Sequence, residues 1–224
     1  MNLQIILDYL KQLIANNNRE WFNLHKDLYL EAKSVFETFT EQYINRMSLL
    51  EPELGALTPQ ECEWRIYRDT RFSPDKTPYK DHFGAFLAPH GGKRSPFAGY
   101  YIHLTPGGCM FASGVWAPDK DLLTALRQSV LDNYDELEDI FSAPEFLKYF
   151  SGFDTYYQLA RTPLGFPRDF KHDDWLRLKA FTLTHHLTDK QVADPHFIDL
   201  LLDLSAAAKP LNDFLNYTVE EVKG

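Results

Sequence analysis

The stretch Phe97-Ala-Gly-Tyr-Tyr-Ile-His-Leu-Thr105-Pro-Gly-Gly-Cys109-Met-Phe-Ala-Ser-Gly-Val-Trp116 decides the fold class. Its apolar residues recur with a period near two, and Pro106-Gly107-Gly108 breaks the run where a turn belongs. In the first half, Tyr100, Ile102 and Leu104 share one face while Tyr101 and His103 share the other. Two short strands joined by so few residues form a hairpin. Upstream, Phe83–Ala88 reads the same way, and so does Cys62–Arg68. Downstream, Phe181-Thr-Leu-Thr-His-His-Leu187 alternates and is expected to rejoin the sheet.

On both sides the period lengthens. Leu3, Ile6, Leu7, Leu10, Leu13 and Ile14 make an amphipathic first helix, interrupted by Asn16-Asn17-Asn18. Asn17 and Glu20 fit a capping box for one long helix. Its stripe runs through Trp21, Leu24, Leu28, Ala32, Phe36, Phe39, Tyr43 and Met47. After Trp116, Pro118-Asp119 opens a helix, and Asp194-Pro195 caps the last one. Trp21, Trp64 and Trp175 read as core anchors. Helices before and after a run of strands predict an α+β fold, an antiparallel meander packed by N- and C-terminal helices. No linker is visible, so residues 1–224 are expected to form a single domain.

The 224 residues are 44% hydrophobic and 25% charged, which is globular composition. No apolar run is long enough to span a bilayer, and the first residues lack the pattern of a signal peptide. A cytoplasmic protein is expected, with no membrane partner. Cys62 and Cys109 lie in apolar alternating stretches and read as buried thiols. No phosphate-binding loop, dinucleotide fingerprint, nucleophile elbow or zinc-ligand spacing occurs, so no cofactor and no metal is expected. His82, His103 and His185 are the histidines that a fold could bring together.

The net charge is −9, against general nucleic-acid binding. It is unevenly spread. Residues 65–94 carry seven bases and three acids, a charge of +4, leaving −13 on the rest. Such a cationic patch on an acidic body suits a small anion. Its densest part runs from Arg65 to His82, with Arg65, Arg68, Arg71, Lys76 and Lys80 interleaved by Tyr67, Phe72 and Tyr79. Arginine offers a planar fork of donors to a carboxylate or phosphate, and lysine adds a point charge. Asp69 sits between two arginines, which should hold it ionised and let it organise Arg68 and Arg71. Trp116, at a strand end, is a candidate for the mouth of a cleft. Were there catalysis, Tyr79, Tyr101 and His103 would be the proton-transfer groups. The competing reading makes the arginine segment a structural brace in a non-enzymatic interaction module. Its cations would dock an acidic face such as residues 132–139, on a second copy or a partner.

The arrangement Arg-x-x-Arg-Asp-x-Arg-Phe followed by Lys-x-x-Tyr is met at Arg65, Arg68, Asp69, Arg71, Phe72, Lys76 and Tyr79. It resembles the signature of a bacterial domain-of-unknown-function family, DUF2461. Further blocks are similar to that family: Asn17-Asn-Arg-Glu-Trp-Phe22, Gly99-Tyr-Tyr-Ile-His103, Gly114-Val-Trp-Ala-Pro118 and Leu176-Arg-Leu-Lys-Ala-Phe181. The resemblance covers nearly the whole chain. It implies an uncharacterised protein and supplies no activity, cofactor or catalytic residue, only that these positions matter together.

Overall fold

The structure is a computed structural model that describes residues 2–223. Its fold is α+β. Four strands, β1 (Phe83–Leu87), β2 (Gly99–Leu104), β3 (Met110–Val115) and β4 (Phe181–His186), form an open antiparallel sheet in the order β1-β2-β3-β4. The alternation read from sequence holds, with Tyr100, Ile102 and Leu104 fully buried on one face of β2. At Gly114 the backbone has φ 115°, and a Cβ there would lie 2.0 Å from the carbonyl oxygen of Phe181. Glycine is what lets β3 approach β4 so closely.

Before the sheet come α1 (Gln4–Ala15), α2 (Arg19–Leu24), α3 (Lys26–Met47) and the short α4 (Pro59–Cys62). After β3 come α5 (Lys120–Asp132), α6 (Tyr134–Ser142), α7 (Pro144–Leu147) and α8 (Asp173–Arg177). The last helices are α9 (Asp189–Val192) and α10 (Phe197–Lys223), which flank the end of the chain beyond β4. Asp119 caps α5 as its position implies, accepting from the Leu122 amide at 3.0 Å. No helix among the described residues is long and apolar enough to cross a membrane.

The chain forms two compact units. One comprises Met1–Arg94, Tyr101–Phe111 and His186–Leu202; the other Ser95–Tyr100, Ala112–His185 and Asp203–Gly224. The chain passes from one to the other inside β2, β3, β4 and α10 as well as after Arg94. In the first unit, Ile6, Leu7, Leu10 and Leu13 of α1 are fully buried, as is the α3 stripe at Ala32, Phe36, Phe39, Tyr43 and Met47. Phe39 stacks on Tyr43 and on Phe197. In the second unit, Phe153 meets Phe141, Trp175 and Phe181 edge to face. Its polar anchor is Asn216, whose side chain accepts from the Ala98 amide at 2.7 Å and donates to the Ala98 carbonyl at 3.3 Å.

Four local expectations are corrected. Asn18, not Asn17, caps α2, accepting from the Trp21 amide at 2.9 Å. The single long helix is two, because the His25 amide and its ring both take up the Trp21 carbonyl and end α2 there. Leu24 consequently falls on the solvent side. Trp21, Trp64 and Trp175 are not core anchors, since phenylalanines and tyrosines fill the core and each tryptophan keeps exposed surface. The strand expected over Cys62–Arg68 is absent. Thr58 and Glu61 bond each other across the first turn of α4, so this stretch starts as a helix. It then meets its neighbour only through the isolated bridges Glu63–Ala85 and Tyr67–Tyr79. Pro78 has no N–H to extend the ladder.

Candidate functional site

The arginine segment lies in the first unit as a clasp. The Arg68 amide donates to the Pro78 carbonyl at 3.0 Å and the Lys80 amide to the Ile66 carbonyl at 2.8 Å. Between these bonds the chain makes a bend over residues 69–77. Tyr79 anchors the base of the clasp: it is buried, and its ring stacks on Phe22 at 4.0 Å. Asn17 pins the same residue by its backbone, donating to the Tyr79 carbonyl at 3.0 Å and accepting from its amide at 3.2 Å. Freed from capping, Asn17 thus mimics one rung of a strand.

The bend satisfies its own charges. Arg68 donates to the Asp75 carboxylate and the Thr77 hydroxyl through one terminal nitrogen, and reaches the Ser73 hydroxyl at 3.5 Å with the other. The partner of Arg68 is therefore Asp75, not Asp69 as the sequence suggests. Asp69 instead grips Arg71 in a fork, with Nε to Oδ1 at 3.0 Å and a terminal nitrogen to Oδ2 at 2.7 Å. The Thr77 amide and then Arg68 hold Asp75 down to about 2. The Arg71 fork likewise lowers Asp69. Lys76 donates to the Thr70 carbonyl at 2.9 Å. Phe72, at the tip, is 93% exposed.

Beyond Tyr79 the arrangement changes. A cleft of about 430 Å³ opens beside the clasp. Arg68, Asp75, Thr77 and Tyr79 line one part; Lys80, Asp81, His82, Ile14 and Asn17 line the rest. Lys80 is half-buried, and its ammonium has no hydrogen-bond or ion-pair partner among the described residues. Burial first, and then the charges of Arg65 and Lys93, push its ammonium below the ordinary lysine range. Arg65 is exposed and equally unpaired, whereas Lys93 donates to the carbonyls of Gln60 and Glu63.

Tyr101 and His103 lie in the first unit but do not line the cleft. The Tyr101 hydroxyl meets His103 Nδ1 at 2.8 Å. Burial pushes Tyr101 up to about 12 and His103 down to about 4, the latter helped by His82. Both are neutral near pH 7, and the imidazole tautomer sets which of the two donates. Gly84 makes room for this pair, since a Cβ there would lie 2.9 Å from the Tyr101 oxygen. His103 connects to the cleft through His82, whose ring stacks on it at 4.3 Å. His82 Nδ1 in turn lies 2.8 Å from the Asp81 carboxylate.

Of the residues singled out in the sequence, Arg68, Tyr79 and Lys80 line one hollow, together with Asn17, Asp81 and His82, which the arginine motif does not point to. Arg65, Asp69, Arg71 and Lys76 share the segment without facing the hollow. Trp116 belongs to the second unit, 59% exposed, with Tyr157 stacked at 5.7 Å and Tyr156 at 6.4 Å. Lys179 lies 4.9 Å over the Tyr157 ring, and the Trp175 ring stacks on His172. His185, also in the second unit, bonds the Tyr149 carbonyl. Cys62 and Cys109 are free and buried, and burial raises both thiols, to about 12 and about 11.

Compared with known proteins, residues 5–214 match the family model described as a conserved hypothetical protein, DUF2461. No curated protein and no solved structure matches the chain.

Proposed function

The chain belongs to the DUF2461 family, whose description carries no activity, and we propose from the cleft alone that this member binds a small phosphate- or carboxylate-bearing ligand at Lys80. One observation carries the reading. Lys80 is a half-buried cation with no ion pair among the described residues, in a hollow large enough for a small ligand, with Arg65 adding to the local field. A burial-weakened ammonium beside like charges gains most from an arriving anion. Arg68 contributes the wall of the site, and Asp69, Arg71 and Lys76 shape the bend from outside. Tyr101 and His103 ionise far from neutrality, a poor match to proton transfer near pH 7, so the proposal is binding rather than turnover.

A melting-temperature titration with inorganic phosphate and with acetate tests it. Ligand binding to the folded state raises the midpoint with concentration. Wild type and Arg71→Ala should both be stabilised, and Lys80→Met should not. Absence of stabilisation in the wild type, or an equal response in Lys80→Met, would overturn the proposal.

The brace reading has its own support in the internal pairing of Arg68 with Asp75 and Arg71 with Asp69. Under it, the segment is an interaction surface, with Phe72 and the free Arg65 outermost. Self-association that weakens as salt rises, without any response to small anions, would favour it.

A further inference from the structure

We propose that the cleft discriminates among anions by their protons, taking an oxyanion that still carries one, such as hydrogen phosphate, over one that carries none, such as sulfate. The inference rests on the anion-binding reading and adds the identity of the group that Lys80 would hold. Two kinds of side chain line the hollow together. Lys80 supplies a donor and a positive charge. The next two residues, Asp81 and His82, supply acceptors on the same lining.

The bond between those two fixes which acceptors are open. Asp81 Oδ1 lies 2.8 Å from His82 Nδ1, so the imidazole proton sits on Nδ1 and, in the neutral ring, the lone pair sits on Nε2. Nε2 has no hydrogen-bond partner among the described residues. The Asp81 side chain is 68% exposed, and a carboxylate retains acceptor capacity beyond one bond. His82 is held in place by its stack on His103, which is itself neutral. An anion drawn to Lys80 therefore meets a carboxylate and a lone pair alongside. Hydrogen phosphate can donate its proton to either. Sulfate has nothing to donate and presents oxygen to oxygen, an unrelieved repulsion.

The matched probes are phosphate and sulfate at equal ionic strength and about pH 8, where both are dianions and only phosphate keeps a proton. Isothermal titration of the full chain should show phosphate binding about tenfold tighter, the worth of one charge-assisted hydrogen bond. Asp81→Asn, whose amide can donate to an oxyanion, should narrow that ratio chiefly by improving sulfate. Equal affinities in the wild type would overturn the discrimination while leaving the anion site standing. A ratio unchanged in Asp81→Asn would overturn the role of Asp81. If neither anion binds, both this inference and the reading beneath it fall.

Discussion

The bend at residues 69–77 and the stretch at 79–82 carry similar side chains and use them in opposite ways. At the bend, Arg68 and Arg71 each have a carboxylate and Lys76 has a carbonyl. In the stretch beyond Tyr79, a lysine has no partner and an imidazole keeps one nitrogen open. Both parts hang from one buried ring. Charge density alone therefore does not mark a binding site; what marks it is charge left unmatched at a hollow. Of the arginines that dominate the sequence pattern, only Arg68 lines the hollow, beside the inconspicuous Lys80-Asp81-His82 on which the proposed site rests.

The comparison breaks most visibly at its hinge. Tyr79→Ala removes the ring stacked on Phe22, and loss of a large buried aromatic costs about 3–5 kcal/mol. Its counterpart in the bend, Phe72→Ala, should stay within about 0.5 kcal/mol, because the Phe72 side chain is almost wholly in solvent. Urea unfolding of the two variants measures the contrast. Equal losses would mean that the bend, not Tyr79, holds the clasp.

A second contrast, between a carboxylate held by donors and one with a buried oxygen left bare, is read from pH. Glu63 Oε1 is buried without a partner, and burial pushes this carboxyl up to about 7 from an ordinary value of 4.5. The folded state thus favours its protonated form. That contribution is fully present below pH 4.5 and is lost as pH rises through about 7. Glu63→Gln should remove the loss, leaving the variant more stable than wild type at pH 8 by on the order of 2 kcal/mol. Asp75 runs the other way. Held down to about 2 by the Thr77 amide and by Arg68, it stabilises above its ordinary 3.8, and that gain disappears as pH falls through about 2. Asp75→Asn should lose that gain, lowering stability at neutral pH and flattening the acid limb of the profile.

Smaller effects sharpen the picture. Asn17→Ala loses both bonds to the Tyr79 backbone and should cost about 1–2 kcal/mol, seen as faster hydrogen exchange at the Tyr79 amide. Arg71→Ala removes an exposed pair and should change stability by less than about 1 kcal/mol.

Much of this architecture is legible from periodicity. The strands at 83–87, 99–104, 110–115 and 181–186 follow the alternation of apolar residues, and α1 and α3 follow their stripes. Cys62–Arg68 misleads because its alternating pattern is real but short of amide donors opposite, and because Thr58-Pro59 can end one helix or begin another. Asn17 misleads because an asparagine beside another asparagine fits a cap equally well; only the fold sends it to Tyr79. The site divides in the same way. An arginine-rich segment is visible in any reading of the chain. That Arg68 closes on Asp75, seven residues on, depends on how the bend folds back. That Lys80 finds no acid depends on where α1 and the clasp leave space, which no local pattern encodes.

The most direct test of the account is the titration of the Lys80 ammonium, followed by NMR on lysine carbons with Lys80→Met to assign the signal. The account predicts a Lys80 pKa below the ordinary lysine range in the free protein, rising when phosphate is added. A value in the ordinary range without phosphate, or one that stays unmoved at saturating phosphate, would contradict it.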